Sequence, residues 1–295
     1  MANAPNDDGR MPFFEHIREL RDRARGAAIA FAVAFVGCWF FSQQIYDWLR
    51  APVDQAWMSN AAQLGAHPVL VFSKPTEPFW IYMSVSMWAG IFVSSPFIFY
   101  QLWRFIAPGL YQREKRIGMA FAVFSAVFFI SGALFCYYFV LGNLYSYLLE
   151  YGVKDKLIPQ LNMAEYFDLT KDMMLAFGGV FELPLLIYFL AMVGLVTHRS
   201  LWKFNRWFIV LAFIIGAILT PSPDVVSQVM MAVPMIALYN LSILAAFFVV
   251  RGKEKKKEAQ KAREREADAL ERAKRKAKQD AGEPVEDDDG EPGDE

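Results

Sequence analysis

The side chain of Glu182 is the sharpest chemical signal in the amino-acid sequence. Glu182 lies in Phe181-Glu182-Leu183-Pro184, within an apolar block at 173–196 that carries no other charge. A charged side chain inside a membrane span costs several kcal/mol, so it faces a bundle interior or a wet cavity, or it becomes protonated. We expect Glu182 to mark a polar indentation, and we expect Pro184 to loosen the helix beside it.

Two further carboxylates stand among cations. Glu19 lies in the stretch 13–25, where apolar residues recur with the period of an amphipathic helix. Glu114 stands among three cations at 112–116. Guanidinium and carboxylate groups pair bidentately, so two acids on one surface could hold two adjacent arginines of a partner. An interfacial anchor helix and an ion pair within the loop are the alternatives that these residues leave open.

Polar side chains also flank the last apolar block. Asp224 and Gln228 are one helical turn apart at its start, and Thr220 lies opposite, across the turn that precedes it. Asp224 follows Pro223 and could cap the helix. Thr220 and Gln228 could instead hydrogen-bond to another transmembrane helix.

Residue combinations typical of enzymes are missing from the sequence. It has no Ser–His or Cys–His pair placed together, no phosphate-binding loop and no HExxH zinc motif. Cys38 and Cys136 fall in apolar blocks, which predicts buried free thiols. We therefore expect no catalytic residue, no metal, no cofactor and no nucleic-acid partner. Secondary transport of a small solute remains an alternative because of Glu182, although repeated halves are not visible.

Six apolar blocks indicate an all-α membrane protein. The chain is 55% hydrophobic with a mean hydropathy of +0.23, and a spanning helix needs about 20 mainly apolar residues. The predicted spans are 27–41, 79–99, 117–141, 173–196, 207–220 and 225–250. The fifth is short, at about 21 Å, so the last two blocks are read as two short spans, with a re-entrant hairpin as the alternative.

The distribution of Lys and Arg predicts the orientation of these spans. The segments 1–25, 102–116, 197–206 and 251–295 carry 25 of these residues, whereas the opposite loops carry 5. Because cytoplasmic loops are enriched in Lys and Arg, this places both termini in the cytoplasm.

The segments outside the spans complete the predicted organisation. An amphipathic N-terminal segment, 1–25, precedes a six-span domain, 26–250, and a charged cytoplasmic tail, 251–295, that is helical and then disordered. We expect Pro52 and the prolines after it to break the loop 42–78 into short pieces. Residues 164–172 could extend the fourth helix.

Four motifs in order give the chain a family resemblance. HIRELRDR at 16–23, YQLWRFIAPGLY at 100–111, FELP at 181–184 and the hairpin around 219–228 resemble those of the TatC family. That family is the multispanning core subunit of the twin-arginine protein translocase. The resemblance covers about residues 13–250 and leaves out the tail.

The resemblance implies a fold, a function and roles for individual residues. It implies a cupped, glove-like six-helix bundle in the bacterial inner membrane that binds twin-arginine signal peptides of folded cargo. It also implies an oligomeric complex with single-span partners of the TatA/TatB type, driven by the proton-motive force. By motif match, signal-peptide binding falls to Glu19, Arg21, Glu114, Phe105 and Pro52. The concave face would hold Glu182, and the partner helix would contact Thr220, Asp224 and Gln228.

Overall fold

The chain folds as a bundle of helices. The computed structural model describes residues 13–64, 70–106, 115–154, 160–220 and 225–280. Within these ranges, six helical segments are long and apolar enough to cross a membrane. The prediction of an all-α fold with six spans is therefore confirmed. Glu114 and Asp224 lie outside the described residues.

The described part of the chain contains ten α-helices and two very short strands. In chain order, the helices are α1 (Phe13–Phe40), α2 (Ser42–Ser59), α3 (Ala61–Leu64), α4 (Glu77–Ile106), α5 (Lys115–Phe135), α6 (Gly142–Lys154), α7 (Met163–Phe181), α8 (Leu183–Val193), α9 (His198–Leu219) and α10 (Val225–Asp280). A π-helical segment, Cys136–Leu141, joins α5 to α6. The strands β1 (Leu70–Val71) and β2 (Leu161–Asn162) pair in parallel, with Leu70 opposite Leu161.

The amphipathic segment and the first span form one helix, because α1 runs without a break across the predicted boundary between residues 25 and 26. α1 packs antiparallel along α4. Trp39 stacks edge-on against Phe79 at one end, with ring centroids 5.8 Å apart, and Gly26 lies against the side chain of Gln101 towards the other. We call the end of the bundle that holds Glu19 the Glu19 end. The opposite end is the tyrosine end, after the buried Tyr46, Tyr145 and Tyr166.

The fourth span is built from two helices that meet at Glu182. α7 begins at Met163, so the predicted extension over 164–172 is helical. Pro184 has no N–H to donate to the carbonyl four residues earlier, and the chain tightens at Glu182, whose N–H bonds to the carbonyl of Gly179 at 3.2 Å. The regular α-helix is therefore interrupted at Glu182, two residues before Pro184, which confirms the expected effect of this proline.

The last two spans form a hairpin of α9 and α10. α9 begins at His198 rather than at residue 207, because the Thr197 side chain accepts a hydrogen bond from the Ser200 N–H and caps it. Tyr239 of α10 donates its hydroxyl to the carbonyl of Leu201 at 2.9 Å. Both helices qualify as spans, which favours two spans over a re-entrant hairpin.

The expectation that Pro52 breaks the loop after the first span is wrong. Pro52 is buried inside the 18-residue helix α2. The Tyr137 hydroxyl donates to the Trp48 carbonyl at 2.6 Å, and the Tyr166 hydroxyl donates to the Leu49 carbonyl. Hydrogen bonds from distant tyrosines thus hold together a helix that its own sequence would interrupt.

Candidate functional site

The Glu19 end of α1 carries an open surface cavity, and all of the charged residues that line it belong to α1. Its volume is about 410 Å³. Acidic and basic residues spaced three or four apart share one face of a helix, which explains why this stretch gathers them on one side. The lining residues are Glu15, Arg18, Glu19, Asp22 and Arg23. The cavity therefore offers carboxylates to a cationic ligand.

Within this cavity Glu19 is paired with Arg23. The Arg23 Nη2 atom lies 3.0 Å from the Glu19 Oε1 atom, and the two side chains are 23% and 16% exposed. Arg21 behaves differently, since it lies 3.7 Å from Asp22 and these two side chains are 76% and 71% exposed. Of the two predicted residues on α1, Glu19 therefore lines the cavity, whereas Arg21 is exposed and does not line it.

The end of α4 lies beside this part of α1. Gln101 is level with Gly26, because a Cβ atom added to Gly26 would come within 2.9 Å of the Gln101 Nε2 atom. The two helices are antiparallel and rise about 1.5 Å per residue, so Phe105, four residues on, is level with Asp22. Phe105 is half-buried in the last turn of α4. The predicted Phe105 is thus level with the cavity, on the neighbouring helix α4.

Pro52 does not join this group. It lies in α2, which begins after α1 has ended at Phe40, and α2 packs at the tyrosine end through Tyr137 and Tyr166. Glu19 and Phe40 are separated by about 30 Å along α1. The structure therefore separates Pro52 from Glu19 and gives it a place in the packing of α2. The other predicted acid, Glu114, lies outside the described residues.

Glu182 sits in a small polar network among apolar helices. Its carboxyl lies close to the Ser125 hydroxyl and to the backbone of Phe129, both on α5. Trp103 of α4 donates its indole N–H to that same Ser125 hydroxyl at 2.8 Å. One carboxyl oxygen of Glu182 is buried and has no hydrogen-bond partner in the part of the chain that the structure describes. Such an atom is available to a ligand, a water molecule or a proton.

Two glycines, one on α5 and one on α7, let these helices pack closely and bring Glu182 to α5. A Cβ atom on Gly132 would lie 2.6 Å from the Phe177 carbonyl oxygen, and one on Gly178 would lie 2.8 Å from the Phe129 ring. α5 and α7 therefore approach as closely as their backbones allow, one turn before Glu182. Small residues permit this approach in membrane helices.

The predicted contact for a partner helix is only partly exposed. Thr220 is buried, and its hydroxyl donates to the Gly216 carbonyl at 2.9 Å. Gln228 is half-buried, and its backbone lies against Gly216 across the hairpin. Gln228 is thus the more accessible of the two side chains, and Thr220 stabilises the end of α9. Asp224, the third predicted residue, is not among the described residues.

Metal-ligand groups do not gather in the described ranges, where no cluster of three or more His, Cys, Asp or Glu residues could hold an ion. Cys38 and Cys136 are buried free thiols, as their apolar surroundings predict.

Comparisons with known proteins identify the family of this chain. The model of a family described as Sec-independent protein translocase protein (TatC) matches residues 15–234. The chain belongs to the TatC family. The TatC protein of Koribacter versatilis is 40% identical over 255 residues, which cover 86% of this chain and 92% of that protein. The TatC protein of Aquifex aeolicus is 38% identical over 253 residues, which cover 85% of this chain and all of that protein.

The fold is shared with a solved TatC structure. A crystal structure of the twin arginine translocase receptor TatC matches this chain with a TM-score of 0.69 and 36% sequence identity. The match covers 79% of this chain and 99% of the crystallised one. The chain is therefore a multipass membrane protein and a translocase component, and TatC proteins transport proteins rather than catalyse reactions. Transport of a small solute, the alternative from the sequence, is not favoured.

Sequence reasoning missed three residues that the structure adds to these sites. Arg23 is four residues after Glu19, a spacing that predicts an ion pair on a helix. Ser125 and Trp103 lie on helices other than that of Glu182. No local pattern joins them to Glu182, because their contact depends on how α4, α5 and α7 pack.

Proposed function

We propose that this chain is the receptor subunit that binds twin-arginine signal peptides of folded cargo. The observation that carries the proposal is the position of Glu19, a carboxylate in a charged cavity beside the end of α4, in a chain of the TatC family. A guanidinium group fits such a site because it pairs with carboxylates through two parallel hydrogen bonds. A peptide bound there would leave its folded cargo outside the bundle.

Glu114 supplies the second carboxylate in this proposal. Its neighbour Lys115 begins α5, and α5 runs antiparallel to α4, as the Trp103–Ser125 hydrogen bond near the Glu19 end indicates. Two adjacent arginines of a peptide then meet Glu19 and Glu114, with Phe105 between them and Arg21 at the rim.

The distribution of charges supports an orientation for the bundle. The segments rich in Lys and Arg adjoin the Glu19 end, where α1 begins, α4 ends and α9 begins. We propose that this end faces the cytoplasm, with both termini inside and the bundle in the bacterial inner membrane. Signal peptides arrive on that side.

Partner proteins complete the proposed translocase. We place a single-span partner of the TatA/TatB type along the α9–α10 hairpin, at Gln228 and Asp224. Thr220 contributes to this site by stabilising the end of α9. Glu182 then lies in the concave face along which a signal segment moves during transport. The active translocase is an oligomeric complex, and the proton-motive force drives its transport of cargo. Polar side chains inside a membrane hold neighbouring helices together by hydrogen bonds.

A binding titration tests the receptor function. The purified full-length protein in lipid nanodiscs is titrated against a fluorescent peptide that carries the arginine pair, and against one in which both arginines are lysines. We expect the arginine peptide to bind more tightly, and Glu19→Ala to abolish most of that preference. Glu19→Lys should weaken binding further through like-charge repulsion. Equal binding of both peptides to the unmodified protein would overturn the proposal.

A further inference from the structure

Arg23 is already bound where a signal arginine would bind. Its guanidinium contacts Glu19 Oε1 at 3.0 Å, in the wall of the charged cavity. Arg23 and Glu19 are four residues apart on α1, so this contact needs no other part of the protein. The free receptor therefore satisfies its own carboxylate with an arginine of its own.

This internal pair leaves hydrogen-bonding groups of both side chains unused. The Glu19 Oε2 atom and the Arg23 Nε atom are both buried, and within the described ranges neither has a hydrogen-bond partner. A guanidinium that approaches a carboxylate in the bidentate manner uses both oxygens. Glu19 can thus accept a better-aligned guanidinium than the one it holds.

A second acceptor faces this part of α1 from α4. Gln101 of α4 touches α1 at Gly26, three residues after Arg23, and its Oε1 atom is likewise buried and without a partner among the described residues. Residues three apart are neighbours on a helix surface. Gln101 therefore presents a buried acceptor against α1 within one helical turn of Arg23.

We propose that Arg23 is an internal competitor for the signal-peptide site, and that the first arginine of the peptide displaces it from Glu19. The inference rests on the proposed receptor function and adds a mechanism of regulation to it. A cationic segment without a well-placed guanidinium does not displace Arg23, so the pair raises the threshold for binding. A lysine ammonium is a point charge and cannot form the two parallel bonds that a guanidinium forms.

The test uses the full-length protein in nanodiscs and the same fluorescent arginine peptide. Arg23→Gln removes the competitor, and we expect the Kd of the peptide to fall by about two- to five-fold, the scale of one partly exposed ion pair. Arg25→Gln is the matched control, because it removes the same charge from an exposed position on the same helix. Its Kd should change by less than half as much as that of Arg23→Gln.

Two further variants locate the effect at Glu19. In a Glu19→Gln background, Arg23→Gln should no longer tighten binding, because the competition has been removed already. Arg23→Lys keeps the charge and should give an intermediate Kd, which provides a readout if Arg23→Gln does not fold.

The outcomes separate this inference from the receptor function itself. If the unmodified protein prefers the arginine peptide and Arg23→Gln behaves like Arg25→Gln, the competitor role is overturned while the receptor function stands. If Arg23→Gln weakens binding, Arg23 contributes to the site instead, and the inference is again overturned. If the unmodified protein does not distinguish arginine from lysine peptides, both proposals fall.

Discussion

The hydroxyl of Tyr137 donates a hydrogen bond to the backbone carbonyl of Trp48 at a distance of 2.6 Å. In a regular α-helix that carbonyl would accept from the N–H of residue 52, and Pro52 has none. The Tyr137 ring also stacks on the Trp48 ring, with centroids 4.1 Å apart. A side chain from the π-helical segment therefore replaces the backbone donor that Pro52 removes, and this fixes α2 to the tyrosine end.

This relationship predicts a coupling between positions 137 and 52. Tyr137→Phe keeps the ring and leaves the Trp48 carbonyl without its donor, so it should lower the free energy of unfolding by about 1–3 kcal/mol. Pro52→Ala restores a backbone N–H, so Tyr137→Phe should cost less in that background. Unfolding of the four proteins in detergent checks this double-mutant cycle. Simple additivity of the two changes would count against the replacement of one donor by the other.

The contact between α5 and α7 offers a pair of adjacent glycines with opposite expectations. A Cβ atom on Gly178 would lie 2.8 Å from the Phe129 ring, whereas one on Gly179 would meet no atom within 4 Å. Gly178→Ala should destabilise the protein by about 1–3 kcal/mol through overpacking. Gly179→Ala should be neutral or stabilising by up to about 1 kcal/mol, because alanine favours helix. Equal melting temperatures of the two variants would exclude the close approach of the helices.

Glu182 should matter more for transport than for binding. It lies where α7 meets α8, it is not among the residues that line the charged cavity, and its network with Ser125 is local to α4, α5 and α7. Glu182→Ala should therefore reduce export of a folded cargo about tenfold, equivalent to the loss of one hydrogen bond to a charged group. The Kd of the signal peptide should change by less than about twofold, since residues that share no contact partners act nearly independently. A matching loss in both assays would contradict this division of roles.

The proposed orientation can be tested with cysteine labelling. Both native cysteines are buried, so a cysteine introduced at an exposed position is the reactive one. A membrane-impermeant maleimide added from outside should label Phe72→Cys, near the tyrosine end. It should label Glu258→Cys, in the exposed part of α10, only after the membrane is permeabilised. The reverse labelling pattern would show that the bundle has the opposite orientation in the membrane.

The sequence predicts the spans well because long apolar runs admit few other structures in a membrane. It also predicts the break at Glu182, because Pro184 acts on its own helix. The start of α9 at His198 was missed, since the cap by Thr197 extends the helix beyond its apolar part. These features depend on neighbours within a few residues, and local rules suffice to explain them.

The course of α2 and the place of Pro52 could not be predicted in the same way. Pro52 remains helical because of Tyr137, which lies 89 residues after its acceptor Trp48. Motif matching assigned Pro52 to the same signal-peptide site as Glu19, whereas the structure places it in α2, at the tyrosine end of the bundle. The pairing of Glu19 with Arg23 follows from local spacing, but the burial of that pair depends on how α4 packs against α1.

The most direct test of the central claim is a photo-crosslink from position 105, where a benzoylphenylalanine replaces the aromatic side chain beside the charged cavity. The account predicts a crosslink to a signal peptide that carries the arginine pair, and a much weaker one when both arginines are lysines. It also predicts that Glu19→Ala and Glu114→Ala each reduce the crosslink, and that together they remove it. An undiminished crosslink to the arginine peptide in the double variant would contradict the assignment of these two carboxylates.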